Sequence, residues 1–158
     1  MPAHAGVRRL PGLPVHAGLS GAPGIGVIGN ISRDQVTYPD GRTAELLGGA
    51  ALYVALAASR AGLPAAPAAV AGTDLEHLTA DSRLAGTDLE LVRFLPGPSC
   101  SFRLTYDAGD RVAGVTASYG VARSLTSHAL SVLGRRPAWH VCCRQPLDVH
   151  SPVRTLID

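Results

Sequence analysis

Apolar positions are arranged in three ways along this chain, and each arrangement predicts a different element. Residues 26–29, Gly-Val-Ile-Gly, are a short apolar run ending at Asn30, which predicts a buried strand. The residues that follow, 31–38, read as a loop, closed by the turn signal Pro39-Asp40-Gly41. Behind Gly48-Gly49 the segment AALYVALAASRAG predicts a helix. Ala is the strongest helix former, and Leu52, Ala55, Leu56 and Ser59 fall on one face. Gly62 ends this helix and Pro64 prevents its continuation. Residues 68–71 predict a second buried strand, ending at Gly72. Thr73-Asp74-Leu75-Glu76 has the capping-box spacing, with Thr73 as N-cap and Glu76 at N3, and predicts a helix over 74–84. The order strand, helix, strand, helix implies a parallel α/β sheet.

The pattern then changes. Residues 90–95 predict a strand. Residues 100–106 alternate strictly, with Phe102, Leu104 and Tyr106 against Ser101, Arg103 and Thr105, as in a half-exposed strand. Asp107-Ala108-Gly109-Asp110 is a turn and residues 111–117 return, which makes a hairpin projecting from the sheet. Ser124 or Thr126 caps a helix running to Leu133, and 138–143 is a further buried strand. Ser151 followed by Pro152 opens a last helix that has only begun at Asp158, so the sequence reads as truncated.

Composition narrows the class. With 158 residues, 46% apolar and 16% charged, the chain suits one domain with a real core and excludes a fully disordered protein. No apolar run approaches the roughly 20 residues that span a bilayer. Three cysteines do not make a disulfide scaffold. Residues 1–24 are rich in Gly, Pro and Ala and read as a flexible leader ahead of a domain at 25–158. Arg8 and Arg9 before Leu10, Leu13 and Val15 resemble the start of a secretory signal, but Pro11, Pro14 and His16 interrupt the apolar stretch. The expectation is a cytoplasmic protein without a membrane partner. Every basic residue is Arg; Arg8 and Arg9 give the leader a positive charge, and the rest of the chain balances 12 Arg against 12 acids. With no basic patch around its few aromatic residues, nucleic acid is excluded as a partner.

Several motifs invite chemistry. Gly24-Ile25-Gly26-Val27-Ile28-Gly29 matches G-x-G-x-x-G, but its glycines sit inside the strand and no helix begins at Asn30, so it is not a dinucleotide fingerprint. Gly48-Gly49 at a helix N-terminus is better placed, because two glycines let a ligand approach backbone N–H groups. Asp34 follows the first strand, where open α/β sheets bind ligands, and a carboxylate there accepts hydrogen bonds from sugar hydroxyls. His140, Cys142, Cys143 and His150 lack zinc spacing, since adjacent cysteines on a strand point to opposite faces. They read as small core residues instead. There is no G-x-S-x-G elbow and, without lysine, no Walker loop.

Taken together, Gly29-Asn30-Ile31-Ser32-Arg33-Asp34, Gly48-Gly49-Ala50-Ala51-Leu52-Tyr53-Val54-Ala55, Ala61-Gly62-Leu63-Pro64 and Val70-Ala71-Gly72-Thr73-Asp74 resemble, in order and spacing, the N-terminal half of the ribokinase-like (PfkB) carbohydrate kinases. The resemblance covers residues 25–158 and implies an α/β fold, part of a three-layer α/β sandwich with a small β-hairpin lid. It implies ATP-dependent phosphoryl transfer to a hydroxyl of a sugar or nucleoside, with Mg. Asp34 matches the family's hydroxyl-binding aspartate, and Gly48 and Gly49 match glycines lining its substrate pocket. Tyr53 stands where the family often has Asn. The resemblance places Arg103 and Thr105 on the lid, facing substrate, and implies a possible homodimer through that lid. The family's G-A-G-D anion hole and catalytic Asp belong to its C-terminal half, with the ATP and Mg sites. Asp107-Ala108-Gly109-Asp110 is similar in letters, but the alternation around it predicts a hairpin turn, so Asp110 is not the catalytic base. The chain alone is therefore expected to be inactive. The alternative is a non-catalytic remnant that binds a small polyol or dimerises.

Overall fold

A computed structural model describes residues 24–142 and 154–155. Four strands, β1 (Ile25–Ile28), β4 (Ala65–Gly72), β5 (Val92–Leu95) and β8 (Ala138–Val141), form a wholly parallel sheet in the order β5-β4-β1-β8. Helix α1 (Ala50–Arg60) covers one face and α2 (Leu125–Val132) the other. The two-residue period of the strands sorts the core between them. Val27 packs with Ala51 and Ala55 of α1, whereas Ile28 packs with Leu125, Ala129 and Val132 of α2. These are three layers, helix on sheet on helix, and the ribokinase-like architecture expected from the sequence is the one observed.

Every residue of β4 is buried, and its small side chains let both helices approach closely. Pro67 lies within this central strand, a position that normally excludes it. The register explains the exception. Ala69 donates its N–H to Leu91 on the β5 side, and Pro67, two residues earlier, faces the same side. Strand β5 pairs only from Ala69 onward, so no ladder bond is lost at Pro67.

The glycine run at 24–29 is structural. A Cβ on Gly26 would lie 2.2 Å from the ring of Trp139, its register partner on β8. The glycine makes room for that ring, whose Nε1 donates to the Leu133 carbonyl at 2.8 Å.

Four expectations are corrected. Residues 31–38 are not a loop. They contain β2 (Ser32–Thr37), which pairs antiparallel with β3 (Thr43–Gly48) across the turn at Pro39-Asp40-Gly41. Arg, Asp and Gln are poor strand formers, and tertiary pairing overrides that preference. Next, the segment after Thr73 is not an α-helix but two 3₁₀ stretches, Thr73–Ala80 and Ser82–Leu84. The Asp74 carboxylate, which would sit in a first helical turn, is held by the N–H and hydroxyl of Ser99 at 3.0 and 2.6 Å. Third, β8 is not buried but a half-exposed edge strand, since β1 covers only one side of it. Fourth, the hairpin of β6 (Ser101–Tyr106) and β7 (Val112–Ser118) does not project alone. It joins β2 and β3 in a second four-stranded sheet, ordered β3-β2-β6-β7. The turn between its strands is as expected. Asp107 accepts from the N–H groups of Gly109 and Arg111, and Asp110 takes a positive φ of 56° at the exposed tip. Cys143, His150 and the helix expected from Ser151 lie outside the described residues, as does the leader up to residue 23.

Candidate functional site

In the parallel sheet, the chain leaves β1 by way of α1 to reach β4 on one side, while β8 lies on the other. Such a switch in strand order opens a crevice beyond the carboxyl ends of the strands. Asn30, just past β1, and Cys142, just past β8, both line a cavity of about 340 Å³ there. The second sheet closes the crevice from above. Its contribution follows from the pleat: Ser32 and Asp34 on β2 and Phe102 on β6 share one face. All three line the cavity, together with Gly49 and Tyr119.

Asp34 is the cavity's one carboxylate. Its Oδ1 accepts the backbone N–H of Phe102 at 3.1 Å, which fixes the side chain across the β2–β6 pair. Gly48, the residue opposite Ser32, makes this possible. A Cβ there would lie 2.1 Å from Asp34 Oδ2 and 2.8 Å from Ser32 Oγ. Gly49 occupies the N-cap position of α1 with φ 105°, a conformation that L side chains rarely adopt, and a Cβ on it would lie 2.2 Å from the Asn30 carbonyl. Both glycines are thus dictated by close approach, as the G-G motif suggested.

Ser32 is 1% exposed, and its hydroxyl has no hydrogen-bond partner. An unsatisfied buried hydroxyl costs about 1–3 kcal/mol. Beside a fixed carboxylate, it is a group waiting for a polar partner. Cys142 completes the wall, with a thiol whose pKa burial pushes up, so it stays neutral near pH 7. Asp34, Ser32 and Asn30 therefore form an uncrowded polar end suited to hydroxyl groups. Phe102 and Tyr119 meet edge to face at the aromatic end, with ring centroids 6.4 Å apart.

Three residues expected at the site lie elsewhere. Arg103 and Thr105 sit in register with Gln35 and Thr37, on the face of the sheet opposite to Asp34. The alternation that singled them out as polar also turns them away from the cavity. Tyr53 is 55% exposed on the outer side of α1 and donates its hydroxyl to the Leu47 carbonyl, beside a separate hollow with Leu46, Leu56 and Arg60. Asp110 is at the hairpin tip, as anticipated. Ser32, Phe102 and Tyr119 were missed. Ser32 and Asp34 are two apart on one strand, a relation visible only once residues 32–37 are known to be extended.

A hollow of about 370 Å³ lies behind β3, lined by Arg33, Glu45, His77 and Arg83 among others. Its arginines are already paired, Arg33 with Glu45 at 2.6 Å and Arg83 with Asp81 at 2.7 Å. Among the described residues, no three His, Cys, Asp or Glu gather as a metal site. The Asp34 cavity also has no basic side chain to balance a triphosphate. The described residues do not fit a site for ATP or Mg, and none is assigned to them.

The fold and the position of this cavity define the substrate-side part of a ribokinase-like protein. Particular relatives agree. The chain is 31% identical over 99 residues to the cytidine kinase of Thermococcus kodakarensis, covering 63% of this chain and 35% of that one. Among solved structures it is similar to the ribokinase of Arabidopsis thaliana complexed with ribose and ATP, with TM-score 0.67, 16% identity, and coverage of 86% of this chain and 50% of that one. It is also similar to the nucleoside kinase of Burkholderia thailandensis in complex with inosine, with TM-score 0.59, 19% identity, and coverage of 72% and 41%. No family model matches the chain. The chain thus spans half or less of the length of these relatives.

Proposed function

We propose that this chain is the substrate-side portion of a sugar or nucleoside kinase, and that its cavity binds adjacent hydroxyls of a polyol. The observation that carries this reading is the buried, partnerless Ser32 hydroxyl beside Asp34 across Gly48. The free oxygen of the Asp34 carboxylate accepts a hydrogen bond from one substrate hydroxyl, and charge assistance makes that bond strong. Ser32 donates to or accepts from its neighbour. Gly48 and Gly49 leave room for the substrate ring, and the N-terminus of α1 adds partial positive charge near its oxygens.

In such a kinase these residues hold and orient the acceptor, and orientation is a large part of what phosphoryl transfer needs. ATP with Mg would be the phosphoryl donor, held by residues other than the described ones. Asp34 is fixed by the Phe102 N–H as an orienting acceptor, and no second carboxylate lines the cavity to take the hydroxyl proton. The 158-residue chain therefore binds without phosphorylating. The lid sheet exposes Val112, Val115 and Leu46, and we include in the reading a homodimer formed through this surface. Cys100 and Cys142 are free thiols, as a reducing compartment keeps them, which places the protein in the cytoplasm.

Calorimetric titration with ribose and ribonucleosides tests the reading. The wild-type chain should bind at least one of them, and Asp34→Asn should weaken that binding about tenfold or more. Ser32→Ala should weaken it too, while leaving the unliganded protein equally or more stable, because the mutation removes a hydroxyl that has no partner. Binding that ignores both substitutions would refute the site. Sugar-dependent ADP formation by the chain alone would refute the division of labour.

A further inference from the structure

We propose that the ligand is a nucleoside rather than a free sugar, its base lying against the corner formed by Phe102 and Tyr119. The inference rests on the hydroxyl-binding reading of the same cavity and adds its other end.

The cavity is chemically divided. Its polar groups are at Asp34, Ser32 and Asn30. Phe102 is tied to that end through its own backbone, because its N–H holds Asp34 Oδ1. Its ring, on the Asp34 face of the lid sheet, meets the Tyr119 ring at an interplanar angle of 87°. Both side chains are half-buried. Two perpendicular rings make an apolar corner with one face and one edge on offer.

A free pentose carries a hydroxyl on nearly every carbon. Whichever of them turned toward this corner would lose water and find no partner, a loss that grows with each such group. A nucleoside carries its base on the anomeric carbon instead. A planar base can stack on one ring and take the edge of the other, and it leaves the ribose hydroxyls for the polar end. At about 340 Å³ the cavity falls in the range that encloses ligands of two or more rings. Residues of the lid sheet would then decide the base, and the strand-end residues would hold the sugar.

Saturation-transfer NMR on the full chain with uridine and with adenosine tests this directly, alongside calorimetry with D-ribose. Saturation should reach the base protons of at least one nucleoside, and that nucleoside should bind about tenfold or more tightly than ribose. Tyr119→Leu should weaken nucleoside binding about tenfold, the effect of removing one stacking partner, and should change ribose binding by less than about threefold. If that variant misfolds, the proton map on the unaltered chain still decides. Ribose binding as tightly as both nucleosides, or saturation confined to ribose protons, overturns the nucleoside inference and leaves the hydroxyl site standing. Failure of ribose and both nucleosides to bind overturns both.

Discussion

The two sheets of this protein are built on opposite principles. The parallel sheet is small-residue and dry, with β4 buried over its whole length between two helices. The lid sheet is polar and wet, with β7 exposed at every residue. The first has its hydrogen-bonding edges set by burial and its stability set by packing. The second is held by strand pairing and by turns closed through Asp40 and Asp107, each accepting backbone N–H groups two or more residues ahead. The polar cavity lies where the two meet. The rigid sheet supplies Asn30 and the α1 N-terminus, and the lid supplies Asp34, Ser32 and Phe102. A ligand that bridges both would tie the less stable sheet to the more stable one.

The contrast should be largest in truncation experiments. Leu52 is 1% exposed between α1 and β4, and Leu52→Ala should cost about 2–5 kcal/mol in chemical denaturation. Val115 on β7 is 58% exposed, and Val115→Ala should stay within about 0.5 kcal/mol. Equal losses would mean the lid is packed against something in solution, and a homodimer would be the first explanation to check by sedimentation.

The two adjacent glycines sharpen the comparison at the junction itself. Gly49→Ala forces a side chain into positive φ and against the backbone carbonyl of Asn30, which cannot move alone. It should lower stability by about 1–3 kcal/mol or more. Gly48→Ala meets only the ends of the Asp34 and Ser32 side chains, which can turn aside. It should leave the melting temperature nearly unchanged and weaken polyol binding by about tenfold or more. A reversed ranking would mean that Gly48, not Gly49, is the structural residue.

The smallest effect concerns the 3₁₀ segment that hangs below the parallel sheet. The Arg83 guanidinium, with the Arg83 backbone N–H, holds the Asp81 carboxyl down to about 2. A depressed pKa contributes stability above the unfolded value near 4, and that stability is lost as pH falls from about 4 through about 2. Melting curves of wild type and Asp81→Asn should therefore differ slightly at pH 6 and converge below about pH 2. Curves that stay parallel throughout would assign the difference to the Asp81 cap rather than to its charge.

Much of the parallel sheet was legible along the chain. The apolar run at 26–29, the Ala-rich helix and the Gly62 terminator all gave local signals strong enough to survive folding. The hairpin around Asp107–Asp110 was equally plain, because strict alternation and a turn coincide. Strand β2 was not. Ser-Arg-Asp-Gln-Val-Thr has no local preference for a strand, and its pairing with β6 spans nearly seventy residues of sequence. The capping box at Thr73 misled for a related reason: its Asp74 found a better partner in Ser99, 25 residues away.

By itself, the sequence determined the alternation of strand and helix, the two glycines at the start of α1 and the acid at position 34. These rest on neighbours within a few residues, and such contacts survive in any context. Only the tertiary structure decided which side chains share the cavity. Pleating places Asp34 with Ser32 and Phe102 and turns Arg103 and Thr105 away. A side chain's direction from a strand depends on the register of its partners, and register is a property of the assembled sheet rather than of any segment read alone.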